Sequence, residues 1–127
     1  IAISLTSFEG NHFETAGKIA HDLVTRFIQD PIKQPVLLNV NVPDIPHAEI
    51  KGTEVTRLGR RHKAEPVVKM ISPRNDTVYW VGAAGAAADA GPGTDFSAVE
   101  RGYVSITPLQ VDLTHVAQLP AIRHWMQ

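Results

Sequence analysis

The order of its first three elements constrains this chain more than any other feature. Ile1 to Leu5 is a short apolar run that reads as a buried strand, and Thr6 to Gly10 is a polar loop. Ala16, Ile19, Ala20, Leu23, Val24, Phe27 and Ile28 then fall at helical spacing, with Asn11 standing where an N-cap belongs. Asp30-Pro31 and Gln34-Pro35 end the helix, because proline has no N–H for the helical ladder and pushes the residue before it toward extended backbone. A second strand, Val36 to Val42, follows at once. Strand, helix, strand with short connections is a βαβ unit, so the two strands are expected to be parallel neighbours joined by a right-handed crossover. Alternation along the second strand sets Leu37, Asn39 and Asn41 on one face and Val36, Leu38, Val40 and Val42 on the other.

The rest of the chain changes character. Thr53 to Leu58 alternates polar and apolar residues like a half-exposed strand, and Val67 to Ser72 and Thr77 to Val81 flank the turn-forming Pro73-Arg74-Asn75-Asp76, which predicts a β-hairpin. A hairpin carrying Val78, Tyr79, Trp80 and Val81 cannot hide both faces alone and is expected to pack on another subunit or domain. Gly82 to Gly93 is rich in glycine and alanine. Thr94-Asp95 then offers caps for a short helix through Phe96, Ala98 and Val99 that Gly102 stops, and a strand from Tyr103 to Thr107 follows. Pro120 suits the first turn of a terminal helix with Ile122, Trp125 and Met126 on its apolar side. The expected division is 1–52, part of a βαβ core; 53–82, a β-rich hairpin extension; and 83–127, a glycine-rich loop, short helix, strand and tail.

Composition narrows the functional classes. A chain of 127 residues is long enough for one compact core and too short for two. With a net charge of −1 it has no global field toward nucleic acid or an anionic membrane. It has no cysteine, which suits a reducing compartment, so the cytosol is the expected location. No apolar run approaches the ~20 residues of a membrane span. The opening Ile-Ala-Ile-Ser-Leu, without a methionine or a preceding turn, suggests a segment of something longer.

Motif by motif, the residues argue more for structure than for catalysis. The Gly82–Gly93 segment lacks the Lys-Ser/Thr ending of a P-loop and the G-x-G-x-x-G pattern of a dinucleotide site. Asp89 and Asp95 would make a carboxylate pair only if the fold joined them, and a turn and a helix cap are the plainer roles. The six histidines show no H-E-x-x-H or i, i+4 arrangement. His115 and Asp112 are close enough in sequence for a hydrogen-bonded pair, either a proton relay or a local structural contact. Arg57, Arg60, Arg61, His62 and Lys63 form the dense basic run, read as a charge-protected edge strand or an ion-paired contact rather than a nucleic-acid surface. Asn39 and Asn41 can orient a ligand or satisfy loop backbone. No G-x-S-x-G elbow is present.

Several blocks together resemble one family. Leu38-Asn39-Val40-Asn41-Val42-Pro43-Asp44, Val55-Thr56-Arg57-Leu58-Gly59-Arg60-Arg61, Asp89-Ala90-Gly91-Pro92-Gly93-Thr94-Asp95, Gly102 to Leu109 and Val111-Asp112-Leu113-Thr114 follow the order found in the SurE survival-protein family. The resemblance implies a fold: the end of a Rossmann-like, three-layer α/β sheet domain with a β-hairpin insertion and a C-terminal helix. It also implies an activity, metal-dependent hydrolysis of nucleoside 5′- and 3′-monophosphates, with short polyphosphate as a secondary substrate. The family's divalent ion, Mg or Mn, is held by an adjacent Asp-Asp pair, a serine and an asparagine in a Ser-Gly-x-Asn segment, and neither that pair nor that segment occurs here. No catalytic residue or metal ligand is therefore assigned to this chain, and by itself it is expected to be inactive. Arg57, Arg60, Thr94, Asp95, Asp112 and His115 are expected to brace loops or form an oligomer interface, in a homodimer or homotetramer. No nucleic-acid duplex and no membrane is an expected partner. The competing expectations are a non-catalytic oligomerisation module and a polyanion-binding domain acting through the basic run.

Overall fold

A computed structural model describes residues 1–127. Strand β1 (Ala2–Leu5) leads into helix α1 (Phe13–Gln29) and strand β2 (Leu37–Val42), and β1 and β2 pair in parallel, Ile3 opposite Val40. Two further strands complete the sheet, β3 (Thr53–Val55) and, after a long excursion, β8 (Val104–Leu109). The order is β1-β2-β8-β3, with β8 antiparallel to β2 and parallel to β3.

The two sheet faces differ chemically, as alternation requires. On one, Val40, Val42 and Val104 are wholly buried beneath Ala16, Ile19 and Leu23 of α1, with Ile3, Leu5 and Ile106 alongside. On the other, Asn39 and Asn41 are followed across the sheet by Thr107 and Ser105. There the Thr56 hydroxyl lies 2.7 Å from that of Thr107 and 3.3 Å from that of Ser105, so three buried hydroxyls satisfy one another beneath helix α2 (Asp95–Glu100). Helix, sheet and helix make three layers.

Asn11 does not cap α1. His12 is the N-cap and offers no capping side chain; instead the Asp44 carboxylate, brought over from just beyond β2, accepts the N–H groups of Asn11 and His12 at 2.8–3.1 Å. A carboxylate satisfies these donors better than an amide, because it also meets the positive end of the helix dipole. The Asn11 N–H leads in holding the Asp44 carboxyl below its ordinary value of 3.8, with the His12 N–H and the Ser7 hydroxyl adding to it. A group whose folded pKa is depressed stabilises the fold fully above its unfolded pKa, and loses that contribution as pH falls through the folded value. In the protein carrying both halves of the relatives' length, Asp44→Asn should lower the denaturation midpoint at pH 7 and flatten the decline below pH ~4. Parallel urea titrations at pH 7 and pH 3 check this, and an unchanged acid limb would exclude Asp44 as the cap.

Between β3 and α2 the chain forms an antiparallel arm. Its base is β4 (Arg60–Arg61) paired with β7 (Ala87–Asp89), and its tip is β5 (Val68–Ile71) paired with β6 (Thr77–Trp80). At the tip turn, the Ser72 hydroxyl accepts the N–H groups of Arg74 and Asp76. The glycines of the Gly-Ala stretch belong to this arm: a Cβ on Gly82 would strike the Glu65 carbonyl, and one on Gly85 the carbonyls of His62 and Lys63. Close approach of two backbones explains them, not a phosphate cradle. Thr53–Val55, grouped by sequence with the hairpin extension, is instead the edge strand of the main sheet, and the arm runs from Arg60 to Asp89. Alternating half-exposed residues look alike in both settings. Helix α3 (Leu119–Trp125) follows a tail with Pro120 in its first turn.

The molecule buries little of itself. Its accessible surface is 10033 Å2, against roughly 6,700 Å2 for a compact monomer of its 13.9 kDa mass. Tyr79 and Trp80 on the arm are 65% and 62% exposed, and Trp125 in α3 is 78% exposed. No helix is long and apolar enough to cross a membrane.

Candidate functional site

At the carboxyl end of β1, and over the face of β2 that carries Asn39 and Asn41, lies an open cleft of about 660 Å3. In open α/β sheets this is where ligands bind, because loops diverge there and leave backbone groups unpaired. Thr6, Ser7 and Phe8 form one side as the chain leaves β1, Asn39 and Asn41 line the sheet, and Asp95, Phe96 and Val99 of α2 with Arg61 of β4 form the other side. A second, shallower depression of about 450 Å3 lies on the solvent side of α1 among Glu14, Lys18, His21, Asp22 and His47, with no apolar wall.

One wall of the cleft is clamped from several directions. The Asp95 carboxylate accepts the Gly59 N–H at 2.7 Å, the Phe96 N–H at 3.0 Å and the Asn41 amide at 3.4 Å. It thereby ties β2, the segment after β3 and the start of α2 to one point. Thr94, wholly buried, is the N-cap of α2: its hydroxyl accepts the Ser97 N–H at 3.2 Å and donates to the Gly91 carbonyl at 2.7 Å. Backbone bonds from Arg57 to Gly93 and from Asp95 to Arg57 join the same two segments. The Arg57 guanidinium grips the Asp89 carboxylate with two bonds, at 2.7 and 3.0 Å. That hydrogen bonding holds the Asp89 carboxyl below, and the Arg57 guanidinium above, their ordinary values. With 56% of the Arg57 side chain exposed, solvent screens the pair, and its part is to fix geometry more than to add stability.

The structure thus gathers Arg57, Thr94 and Asp95, with Asp89, around one loop junction. Arg60 lies beside them, its side chain without a hydrogen bond or ion pair. Asp89 and Asp95 do not form a carboxylate pair, since each is taken by different donors. Asp112 and His115 lie in the tail and do not pair: Asp112 accepts the Thr114 N–H at 2.8 Å, which lowers its carboxyl, and the His115 ring makes no hydrogen bond. An aspartate two residues ahead of a free N–H closes a local turn more readily than it reaches a side chain. Thr6, Ser7, Phe8 and Phe96 escaped sequence reasoning, although the position of Thr6 at the end of a parallel strand was signal enough to raise it. No three acidic or histidine side chains converge to hold a metal ion.

Helices on both faces of a mixed sheet, with a cleft at the carboxyl end of β1, define a Rossmann-like α/β domain. The chain belongs to the SurE family, whose model, described as Survival protein SurE, matches residues 1–65. It is 60% identical over 126 residues to a protein of Nitrosomonas eutropha and 57% identical over 125 residues to one of Methylobacillus flagellatus, both named 5′-nucleotidase SurE. These matches cover 99% and 98% of this chain but 51% of each relative. The chain therefore spans about half the length of the curated relatives it matches, their carboxy-terminal half. The solved structure of the SurE protein from Aquifex aeolicus superposes with a TM-score of 0.75 at 38% identity, covering 99% of this chain and 51% of that one.

Proposed function

We propose that this chain is the carboxy-terminal half of a metal-dependent 5′/3′-nucleotidase that hydrolyses nucleoside monophosphates to nucleoside and phosphate. The observation that carries the reading is the identity of 60% across 99% of the chain with a protein named 5′-nucleotidase. The cleft at the carboxyl end of β1 supports it, because it is open, braced and carries Asn39, Asn41 and Arg61 among apolar walls, as a site completed by neighbouring residues needs to be. The divalent ion, Mg or Mn, is held outside this chain and supplies Lewis acidity toward the phosphoryl oxygens when bound. The residues here wall the cleft and carry the arm, whose exposed Val68, Met70, Tyr79 and Trp80 favour a homodimer or homotetramer over a lone subunit. The compartment we propose is the cytoplasm, in keeping with a chain that has no cysteine.

The test is release of phosphate from a nucleoside 5′-monophosphate. With both halves present, release should depend on Mn or Mg and stop with a chelator, whereas the 127-residue chain alone should release none. Metal-dependent release by this chain alone would overturn the assignment of the catalytic centre to the other half.

A further inference from the structure

Arg61 has no counter-charge. The ion pairs of the chain are His12–Glu14, His21–Asp22, Arg57–Asp89 and Arg101–Glu54, and Arg61 is in none of them. Its guanidinium lies 4.9 Å from the centre of the Phe96 ring and gives one bond, from Nη1 to the Gly85 carbonyl at 3.2 Å. A guanidinium has five N–H donors in a planar fork, so most of this one remains available where the side chain lines the cleft. The acidic side chains of the cleft do not use it: Asp95 is occupied by Gly59, Phe96 and Asn41, and Glu100 is exposed at the far end of α2. On the cleft floor the Asn39 amide makes no hydrogen bond within the chain, and its neighbour Asn41 uses only its N–H2. A cation held by an aromatic face and one carbonyl, without a carboxylate, beside the unused amide of Asn39 in a cleft at the carboxyl end of β1, is suited to an oxyanion.

We propose that Arg61 is a substrate-binding residue that takes a non-bridging phosphoryl oxygen of the substrate, with the Asn39 amide as a neutral donor on the cleft floor. This assignment of the phosphate subsite rests on the nucleotidase reading only for the identity of the substrate. Phe96 sets the height of the guanidinium above the floor, and the Gly85 carbonyl sets its rotation. Because arginine presents a planar fork and lysine a point charge, the two should not be equivalent here.

The test uses the protein with both halves and its metal, and compares Arg61→Gln and Arg61→Lys with the unmodified protein, folding being checked by circular dichroism. KM for a nucleoside 5′-monophosphate should rise about tenfold or more in Arg61→Gln with kcat little changed, and by less in Arg61→Lys. The same rise should appear with p-nitrophenyl phosphate, which has no base or ribose, and the Kd for inorganic phosphate measured by calorimetry should rise in parallel. An unchanged KM and Kd would overturn the proposal, and so would a loss confined to the nucleoside substrate, which would place Arg61 against the base. Failure of the unmodified protein to bind inorganic phosphate would overturn it as well. Arg61-dependent phosphate binding without any hydrolysis would remove the nucleotidase reading and leave the phosphate subsite standing.

Discussion

Expressed on its own, the 127-residue segment is expected to show secondary structure by far-UV circular dichroism but no cooperative unfolding transition. The reason is area. Its surface exceeds that of a compact monomer by roughly 3,300 Å2, about four times what one partner buries in an interface of standard size. Its wholly apolar core comprises Val40, Val42, Val104 and Ala98, too few side chains to offset ordering the backbone around them. Exposed apolar side chains are spread along the chain, from Phe8, Phe13 and Ile28 around α1 to Tyr79 and Trp80 on the arm and Leu113 and Trp125 at the tail and α3, so no local repacking covers them. Joined to the other half of the relatives' length, the same residues should melt in a single transition, with the near-UV signal of Trp80 and Trp125 lost at the same midpoint as the helix. A sharp, concentration-independent transition of a 13.9 kDa monomer would sink this account of where the stability resides.

The second large effect is expected at Asp95. Asp95→Ala leaves the Gly59 N–H, the Phe96 N–H and the Asn41 amide without their acceptor at a junction of three segments. Hydrogen bonds to an ionised group are worth roughly 1.5–3 kcal/mol each, and partial exposure of this carboxylate places the total at about 2–4 kcal/mol. In the protein with both halves, that corresponds to a fall in Tm on the order of 10 °C. Asp95→Asn keeps one oxygen toward Gly59 and should lose about half as much. Differential scanning calorimetry of the two variants checks both values. Equal losses would mean that charge rather than the geometry of the bond to Gly59 holds the wall, and no loss would show that the backbone ties between Arg57 and Gly93 suffice. The site offers little slack, because a Cβ on Gly59 would meet both the Phe96 ring and the Asp89 carbonyl.

Much of this architecture was legible in the residues because it follows from period. The helical stripe from Ala16 to Ile28 and the run from Val36 to Val42 specify a βαβ unit whose strands do pair in parallel. Proline and glycine marked the ends of α1 and α2 to within a residue or two, as terminator chemistry allows. Strand order was not legible, since nothing in the alternation of Val104 to Leu109 says that it enters between β2 and β3. Nor was the cap on α1, whose acceptor, Asp44, is more than thirty residues away from the N–H groups it serves. The hydroxyls of Thr56, Ser105 and Thr107 read as ordinary strand residues until the sheet stacks them. At the site, the motif blocks singled out Arg57, Thr94 and Asp95, which the fold brings to one junction. They said nothing of Phe96, which matters only because β4 sets a guanidinium over its ring.

The position of β8 has a consequence for how the chain comes off the ribosome. β2 pairs residue 37 with residue 109 and β3 pairs residue 53 with residue 104, so β2 lacks its second neighbour and β3 its only one until β8 has been synthesised. Until then β1 and β2 can dock with α1, but β3 is a free end and the hydroxyls beneath α2 have no partners. The far half of the sheet therefore closes through pairings distant in sequence, which form more slowly than local ones. The arm, in contrast, is only the tether between β3 and β8. Closure entropy grows as the logarithm of tether length, so evolution can lengthen, shorten or re-tip it while the sheet below keeps its register.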